Sequence, residues 1–440
     1  MNRSKLAVAI LMAASASVPS LAYPIGLAEG FEKALQQDRQ FAAARSALDA
    51  GKENLDQAVG RLLPNVSISS SRYRVEQQRT DNGVDFPRQY YPSESDSFVV
   101  RQSVYSGRLL AGLDQARAAV AASEAQFQGK TQDLLNRYLS AYVNLLFAQQ
   151  RVELTESQLK SSEARLVAAT KGFAAGVAIK TDISEIQAQT DLLRAQLLSA
   201  QQAVISSSAE LEMMVGEPIK RVERLTGLQL QSLDPGELQL WLDAAERANA
   251  LWLQRRAERD AAKANLSATV GDRLPTLDVV AQISRNSSEN AYFVDSVTNS
   301  RAIGFQINIP IYQGGYLTSR QRQAAAALGE ADALAQAALD QAKLETRKAY
   351  YGVREGIKKA AAMRKAEASS LESVDANLKS FQAGVRSHLD VLEAEKKYAQ
   401  ASMDRLESEF QLLLQWGRLQ SLVSQAPSDS VQTLRQYFSK

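Results

Sequence analysis

The chain contains no cysteine and a single histidine. No disulfide can form, so the stability of an exported chain has to come from packing or association. The same absences remove zinc-type ligand clusters and nucleophilic sites built on Cys–His or Ser–His–Asp. An excess of one charge is missing too. Lys and Arg number 51 against 49 Asp and Glu, a net +2, which gives no nucleic-acid footprint. No Gly-x4-Gly-Lys-Ser/Thr phosphate loop occurs, so the chain carries no nucleotide-driven energy source of that kind. The pattern is not that of an enzyme, and it calls for no cofactor and no metal. Long hydrophobic runs are also scarce. Beyond the first residues, no uncharged apolar stretch approaches the ~20 residues of a membrane-spanning helix.

The first residues read as an export signal, 1–22. Arg3 and Lys5 form a basic start, Leu6 to Ala14 a short apolar run, and Ser20-Leu21-Ala22 a small-x-small cleavage site. Tyr23 is the expected mature start, with no cysteine there to lipidate.

What is present is a chain that contains itself twice. Phe173-x-x-Gly176-Val177-x4-Asp182 returns as Phe381-x-x-Gly384-Val385-x4-Asp390. Leu63-Pro64 returns as Leu274-Pro275, and Val104-Tyr105-x-Gly107 as Ile311-Tyr312-x-Gly314. The near-constant separation means one structural unit duplicated in tandem, which encodes an architecture rather than a catalytic centre. The first repeat covers 23–215, a linker 216–240, the second repeat 241–420 and a polar tail 421–440.

Each repeat reads as helix, strand, loop, strand, long helix, tight turn, helix. In the first, 27–62 is helical in pattern and Pro64 stops it. Strands are expected at about 66–75 and 98–105, around an exposed loop at 76–97 containing Asn82-Gly83, Pro87 and Pro92. A helix then runs to about residue 170, a rod of about 90 Å. The turn is at 172–182, and a further helix runs to about Met214. The second repeat has strands at about 277–285 and 303–309, a loop at 286–300, a helix from about Thr318, a turn at 381–390 and a helix to about Leu419. Leu134, Leu135, Tyr138, Leu139, Tyr142, Leu145 and Leu146 form one apolar stripe.

Ile303, Phe305, Ile307 and Ile309 alternate with Gly304, Gln306 and Asn308. Such alternation fits a half-buried soluble strand or a barrel wall with lipid on one side and water on the other. Four strands cannot close a barrel, and an open edge cannot sit in lipid. Three copies would supply twelve strands and leave a lumen. A long periplasmic coiled-coil scaffold is the competing reading; it accounts for the helices but not for the strand pairs or the duplication.

Taken together in this order and spacing, the motifs resemble the TolC family of outer-membrane efflux ducts, over about residues 25 to 420. The resemblance implies a mainly α chain with a β-barrel part. A homotrimer would share a twelve-stranded barrel in outer-membrane lipid, with four strands per protomer. The barrel would continue as a twelve-helix tunnel across the periplasm of a Gram-negative envelope. The linker and tail would form a belt around the tunnel. Partners would be a periplasmic adaptor and an inner-membrane ABC or proton-driven transporter. The missing lipid-anchor cysteine favours type I protein secretion over multidrug or metal efflux.

The resemblance also assigns roles at the hairpin tips. Asp390 and Glu393 match positions that narrow the closed entrance; Glu393 stands where a second Asp is common. Arg386 matches a residue that ties neighbouring helices, partly through the counterpart of Asp182. Phe381 stands where some members have a Tyr able to form a hydroxyl link. Gly176, Val177, Gly384 and Val385 match the turns that contact the adaptor. A simpler reading stands beside these. Acidic residues near a helix N-terminus gain about 0.3–1 kcal/mol from the dipole, and glycines end helices. His388 reads as a solvated tip residue. Tyr90, Tyr91, Tyr292 and Phe293 read as interfacial aromatics or as loop packing.

Overall fold

The computed structural model describes residues 24–176, 179–225, 228–289, 296–424 and 427–439. The predicted signal segment, Val177, Tyr292 and Phe293 lie outside them. The first repeat runs α1 (Leu27–Gln37), α2 (Arg39–Gly60), β1 (Asn65–Gln77), a small hairpin of β2 (Thr80–Asp81) and β3 (Val84–Asp85), β4 (Gln89–Tyr105), α3 (Gly107–Ala174) and α4 (Lys180–Val215). A connection carrying β5 (Arg224–Leu225) leads to α5 (Leu238–Ala248), α6 (Ala250–Gly271), β6 (Thr276–Ser288), β7 (Ser296–Asn308), α7 (Tyr316–Gln382) and α8 (His388–Val423). The chain closes with α9 (Pro427–Arg435) and β8 (Phe438–Ser439).

The expected single helix at 27–62 is two helices. Asp38 interrupts it in extended backbone, and its carboxylate accepts the Phe41 N–H at 2.7 Å, capping α2. Asp38 is buried and also receives both terminal nitrogens of Arg137, at 3.2 and 3.3 Å. The second repeat breaks at the equivalent point, where the Asn249 side chain accepts the Trp252 N–H at 3.1 Å. The expected loops at 76–97 and 286–300 are largely strand. Cross-strand pairing continues to Gln77–Gln89 in one hairpin and Ser288–Ser296 in the other. The polar Ser, Asn and Arg of these extensions gave no apolar alternation from which to read them.

The sheet order is β1-β4-β6-β7, antiparallel throughout. The inner pair β4–β6 joins the two repeats, which leaves β1 and β7 as open edges. From the sheet the helices run away as two hairpins, α3–α4 and α7–α8. Helix α3 has 68 residues, about 100 Å at the usual rise. The two repeats touch most closely at the neck. A Cβ on Gly271 would lie 2.5 Å from the Gly107 carbonyl carbon, so only glycine permits this approach. Beside it, Asp272 receives Arg108 at 2.8 and 2.9 Å and Arg320 at 3.2 Å. One carboxylate therefore ties α3, α6 and α7.

The apolar stripe at 134–146 is buried. It holds the N-terminal segment and the tail. Tyr138 donates to the Leu27 carbonyl at 2.8 Å. Tyr142 donates to the Ile25 carbonyl at 3.0 Å and accepts the Glu223 N–H at 3.0 Å. Strand β8 pairs with β5, and the Tyr437 and Ser232 hydroxyls meet at 2.6 Å. The linker and tail thus pack on each other and against the mid-part of the rods. Burial pushes both tyrosine hydroxyls above their ordinary range, so they stay protonated donors.

Two outcomes follow for stability. Asp38→Ala removes a cap and leaves Arg137 with Asp133 alone, and should cost about 2–4 kcal/mol. Asp38→Asn keeps the cap, as Asn249 does, and should cost less; calorimetric scans that rank the two variants equally would contradict this account. A raised tyrosine pKa stabilises the fold below the ordinary value of about 10 and is lost as pH rises through the folded value. Thermal stability should therefore fall above about pH 10, and less steeply in Tyr142→Phe.

Candidate functional site: hairpin tips and the two faces of the sheet

At the second tip, α7 ends in a Schellman closure. The Val385 N–H donates to the Ser380 carbonyl and the Gly384 N–H to the Phe381 carbonyl, both at 2.9 Å. This requires a left-handed residue, and Gly384 has φ 74°. At the first tip Gly176, at φ 75°, donates in the same way to the Phe173 carbonyl at 3.0 Å. The spacing Phe-x-x-Gly is therefore the spacing of a closed helix end. The closure explains the glycines but not the rings: Phe173 and Phe381 remain 48% and 41% exposed. Val385 is 78% exposed.

The tips differ where the next helix starts. Helix α4 begins after Ile179, which gives no side-chain cap, and Asp182 stands in its first turn with no side-chain partner among the described residues. Helix α8 begins with a capping box. The Ser387 hydroxyl accepts the Asp390 N–H at 3.3 Å, and Asp390 Oδ2 accepts the Ser387 N–H at 2.9 Å and its hydroxyl at 2.7 Å. Arg386 Nη1 reaches Asp390 Oδ1 at 3.3 Å. Within one protomer Arg386 is thus engaged by its own helix, not by Asp182. The Ser387 hydrogen bonds, helped by Arg386, hold the Asp390 carboxyl below the usual carboxylate range. Glu393 is exposed three residues on, where neither a hydrogen bond nor an ion pair engages it among the described residues.

Higher on the rods, Arg165 of α3 pairs with Glu395 of α8, a link between the hairpins that sequence reading missed. Nothing local announces it, because the partners lie in different repeats and neither copies its counterpart. Between the hairpins lies a groove of about 870 Å³ lined by Leu154, Gln158, Leu192, Leu371 and Met403 among others.

The sheet register sorts its residues onto two faces. One carries Val66, Ile68, Phe98, Val100, Ala281, Ile283, Ile303 and Phe305 in adjoining rows. Ile303 and Phe305 are 81% and 78% exposed. Beyond this apolar band, toward the β1–β4 and β6–β7 turns, the same face turns polar. Arg72 there makes a bidentate pair with Asp96 at 2.9 and 3.1 Å. The other face is hydroxylic. Ser69, Ser97, Ser284 and Ser300 form one row across all four strands, and Ser71, Ser95, Asn286 and Thr298 the next. The Ser69 and Ser97 hydroxyls meet at 2.7 Å. Period-two serines were the available signal for this surface. Among the described residues no helix is long and apolar enough to cross a membrane, and no group of acidic or histidine side chains could hold a metal.

Comparison with known proteins agrees with this geometry. The proteases secretion protein PrtF of Dickeya chrysanthemi is 27% identical over 407 residues, 90% of this chain and 87% of its own. The alkaline protease secretion protein AprF of Pseudomonas aeruginosa is 29% identical over 409 residues, 90% of this chain and 84% of its own. The solved outer membrane protein VceC of Vibrio cholerae superposes with a TM-score of 0.76 at 19% identity, covering 90% of this chain and 96% of its own. Residues 31–217 and 241–426 match one family, once for each repeat, and the chain belongs to it: the outer membrane efflux proteins.

Proposed function

We propose that the chain is the outer-membrane exit duct of an envelope-spanning system that exports polypeptides by type I secretion. The observation that carries this is the sheet: an exposed apolar band on one face, serine rows on the other, and two unpaired edges. Such a sheet is satisfied in lipid only as part of a closed barrel, with the serine face lining water. Three protomers supply twelve strands, and the helical hairpins continue the wall as a tunnel. The relatives named for protease secretion support polypeptide cargo.

The duct works by opening rather than by catalysis. An adaptor and an inner-membrane pump supply cargo and energy. The exposed Phe173, Phe381 and Val385 at the tips offer the adaptor an apolar contact beside Gly176, Val177 and Gly384. Asp390 and Glu393, repeated by symmetry, form rings of carboxylate at the entrance that attract cations and resist close approach of their copies. Within each protomer Arg386 holds the Asp390 carboxylate. In the closed trimer it also lies within reach of acidic groups such as Asp182 on a neighbouring hairpin, beside Phe381.

Asp390→Asn with Glu393→Gln should raise single-channel conductance in planar bilayers several-fold and weaken block by a trivalent cation. Unchanged conductance and block would remove the gate assignment, and a protein that never conducts in either form would remove the duct. Because Asp390 is held below the usual range near 4, its ring stays charged on acidification. Cation block due to it should persist at about pH 5, which a pH series of the same recordings checks. Deleting the gene should abolish export of a polypeptide encoded beside it while leaving drug tolerance unchanged; the reverse phenotype would assign the chain to small-molecule efflux.

A further inference from the structure

The apolar face of the sheet ends differently on its two sides. Toward the rods its rim is aromatic. Tyr105, in register with Leu277, is exposed, as are Tyr312 and Tyr316 beyond β7. The arginines there are engaged. Asp272 receives Arg108 and Arg320, and Arg273 donates to the Thr318 hydroxyl at 3.1 Å. The Arg320 guanidinium also lies 5.9 Å from the Tyr316 ring centre. Toward the turns the rim is arginine. The last apolar row is Ile68, Phe98 and Ile283, and its fourth member, on β7, is Arg301. The next row is Ser70, Asp96, Arg285 and Asn299. Tyr90 is on this face as well, but well beyond the arginines.

Arg285 and Arg301 are therefore diagonal neighbours on adjacent strands, about 7–8 Å apart at Cα. Both are exposed, and among the described residues neither has a hydrogen bond or an ion pair. The carboxylate opposite Arg285 is taken. Asp96 is held by Arg72 at 2.9 and 3.1 Å and by the Ser70 hydroxyl at 2.7 Å. Glu94 is held by the same Arg72 at 3.3 Å. Further out, Arg74 stands in register with Pro92, and Glu289 follows β6. The unmatched positive charge next to the apolar band is thus concentrated on β6 and β7. Two like charges so placed repel each other unless an anion lies between them.

We infer that Arg285 and Arg301 bind the phosphate of a lipid in the outer leaflet, a phosphorylated glycolipid whose acyl chains lie along the adjoining apolar rows. This rests on the barrel reading above and gives the barrel a specific lipid. In that reading the rods lie in the periplasm, so the turns and the arginine rim face outward. A charge on the lipid face of a barrel is tolerated near the headgroups and not at mid-depth. Arg301 stands where the alternating run Ile309, Ile307, Phe305, Ile303 stops. An arginine suits that depth. Its stem lies on apolar surface while its head reaches polar groups, and its planar fork meets phosphate oxygens two at a time. A free phosphate ion would use the two charges only. The exposed Phe98, Ile283 and Ile303 beside them offer contact to hydrocarbon, which a lipid alone supplies. The tyrosine rim suits the opposite leaflet, since its hydroxyls meet the interface without calling for an anion.

The test uses the full chain in mild detergent. The probes are bisphosphorylated lipid A and its fully dephosphorylated form, and bound lipid is counted by native mass spectrometry. Lipid A should bind the wild type. Arg285→Gln with Arg301→Gln should weaken that binding at least roughly tenfold, as the loss of charge-assisted hydrogen bonds does. Arg285→Lys with Arg301→Lys should keep part of the affinity, and Arg74→Gln, on β1, should keep it. The dephosphorylated form should bind the wild type as weakly as lipid A binds the glutamine variant, and millimolar inorganic phosphate should not displace lipid A. Equal binding of the two lipids by the wild type, or of lipid A by the wild type and the glutamine variant, would overturn the site. Displacement by inorganic phosphate would make it a plain anion site and overturn the lipid assignment. The comparison of lipids needs no variant, so a substituted chain that fails to fold leaves the test intact. Planar-bilayer conductance of the same preparation separates the two readings. A wild type that conducts but binds both lipids alike loses the lipid site and keeps the duct, whereas one that never conducts loses the duct.

Discussion

The structure depends on one constraint: backbone N–H and C=O groups at the free edges of a sheet need partners. In water an open edge is a tolerable liability, but in hydrocarbon each orphaned group costs several kcal/mol. The protomer has two such edges, β1 and β7, running past an exposed apolar face. Everything below the sheet is consistent with closure by copies of itself. The rods are not self-sufficient either. Their small and apolar stripes are only partly covered within one protomer, as the exposed Leu198, Ile205, Leu334 and Leu371 show. Strand edges and helix surfaces that are both incomplete within one protomer are one problem with one solution.

The duplication was the most legible part of the sequence because it is a comparison of the chain with itself. It needs no propensity scale. Paired anchors at 64 and 275, 105 and 312, and 173 and 381 pointed to the four long strands and the two tips, but not to the short strands β2, β3, β5 and β8. What the pattern did not show has physical causes. The break at Asp38 is one polar residue inside a strongly helical run, and its effect depends on Arg137, far away in sequence. The extended strand ends carry polar side chains on both faces, Arg72 and Asp96 on one, Ser71 and Ser95 on the other. Period-two reasoning has nothing to read there.

At the tips, the recurring Phe, Gly, Val and Asp proved to have two separate origins. Gly176 and Gly384 are dictated by backbone geometry, since each sits at φ near 75° in a helix closure. The aspartates begin as equivalent helix-start residues and then diverge. Among the described residues Asp182 has no side-chain partner, whereas Asp390 is held by Ser387 and Arg386. One cannot say from sequence alone that Ser387 rather than Arg386 dominates the environment of Asp390, because the capping box depends on the exact start of α8. The Arg165–Glu395 pair was invisible for a different reason: it joins the two repeats, and repeats reveal what they share.

The distribution of charge then bears on where selection takes place. The hydroxylic face of the sheet presents serine rows at its centre, with fixed charge such as Arg101 and Asp278 confined to the end nearer the neck. Hydroxyls donate and accept with free rotation, so they can follow a passing chain without holding any one group. Carboxylates at Asp390 and Glu393 act differently. They are fixed in sign, and in the proposed assembly they would lie close to a symmetry axis in a narrow mouth, where the field would be focused. A passage for the proposed polypeptide cargo cannot discriminate along its whole length without also stalling it. Discrimination is better confined to one short, movable element. Both tips carry fixed charge, Asp182 on the first and Asp390 on the second, and it is the second that sits in a capping box. In the proposed assembly the first hairpin, whose α4 start has no side-chain cap and whose Asp182 has no partner among the described residues, would be the surface against which the second can lock or from which it can part.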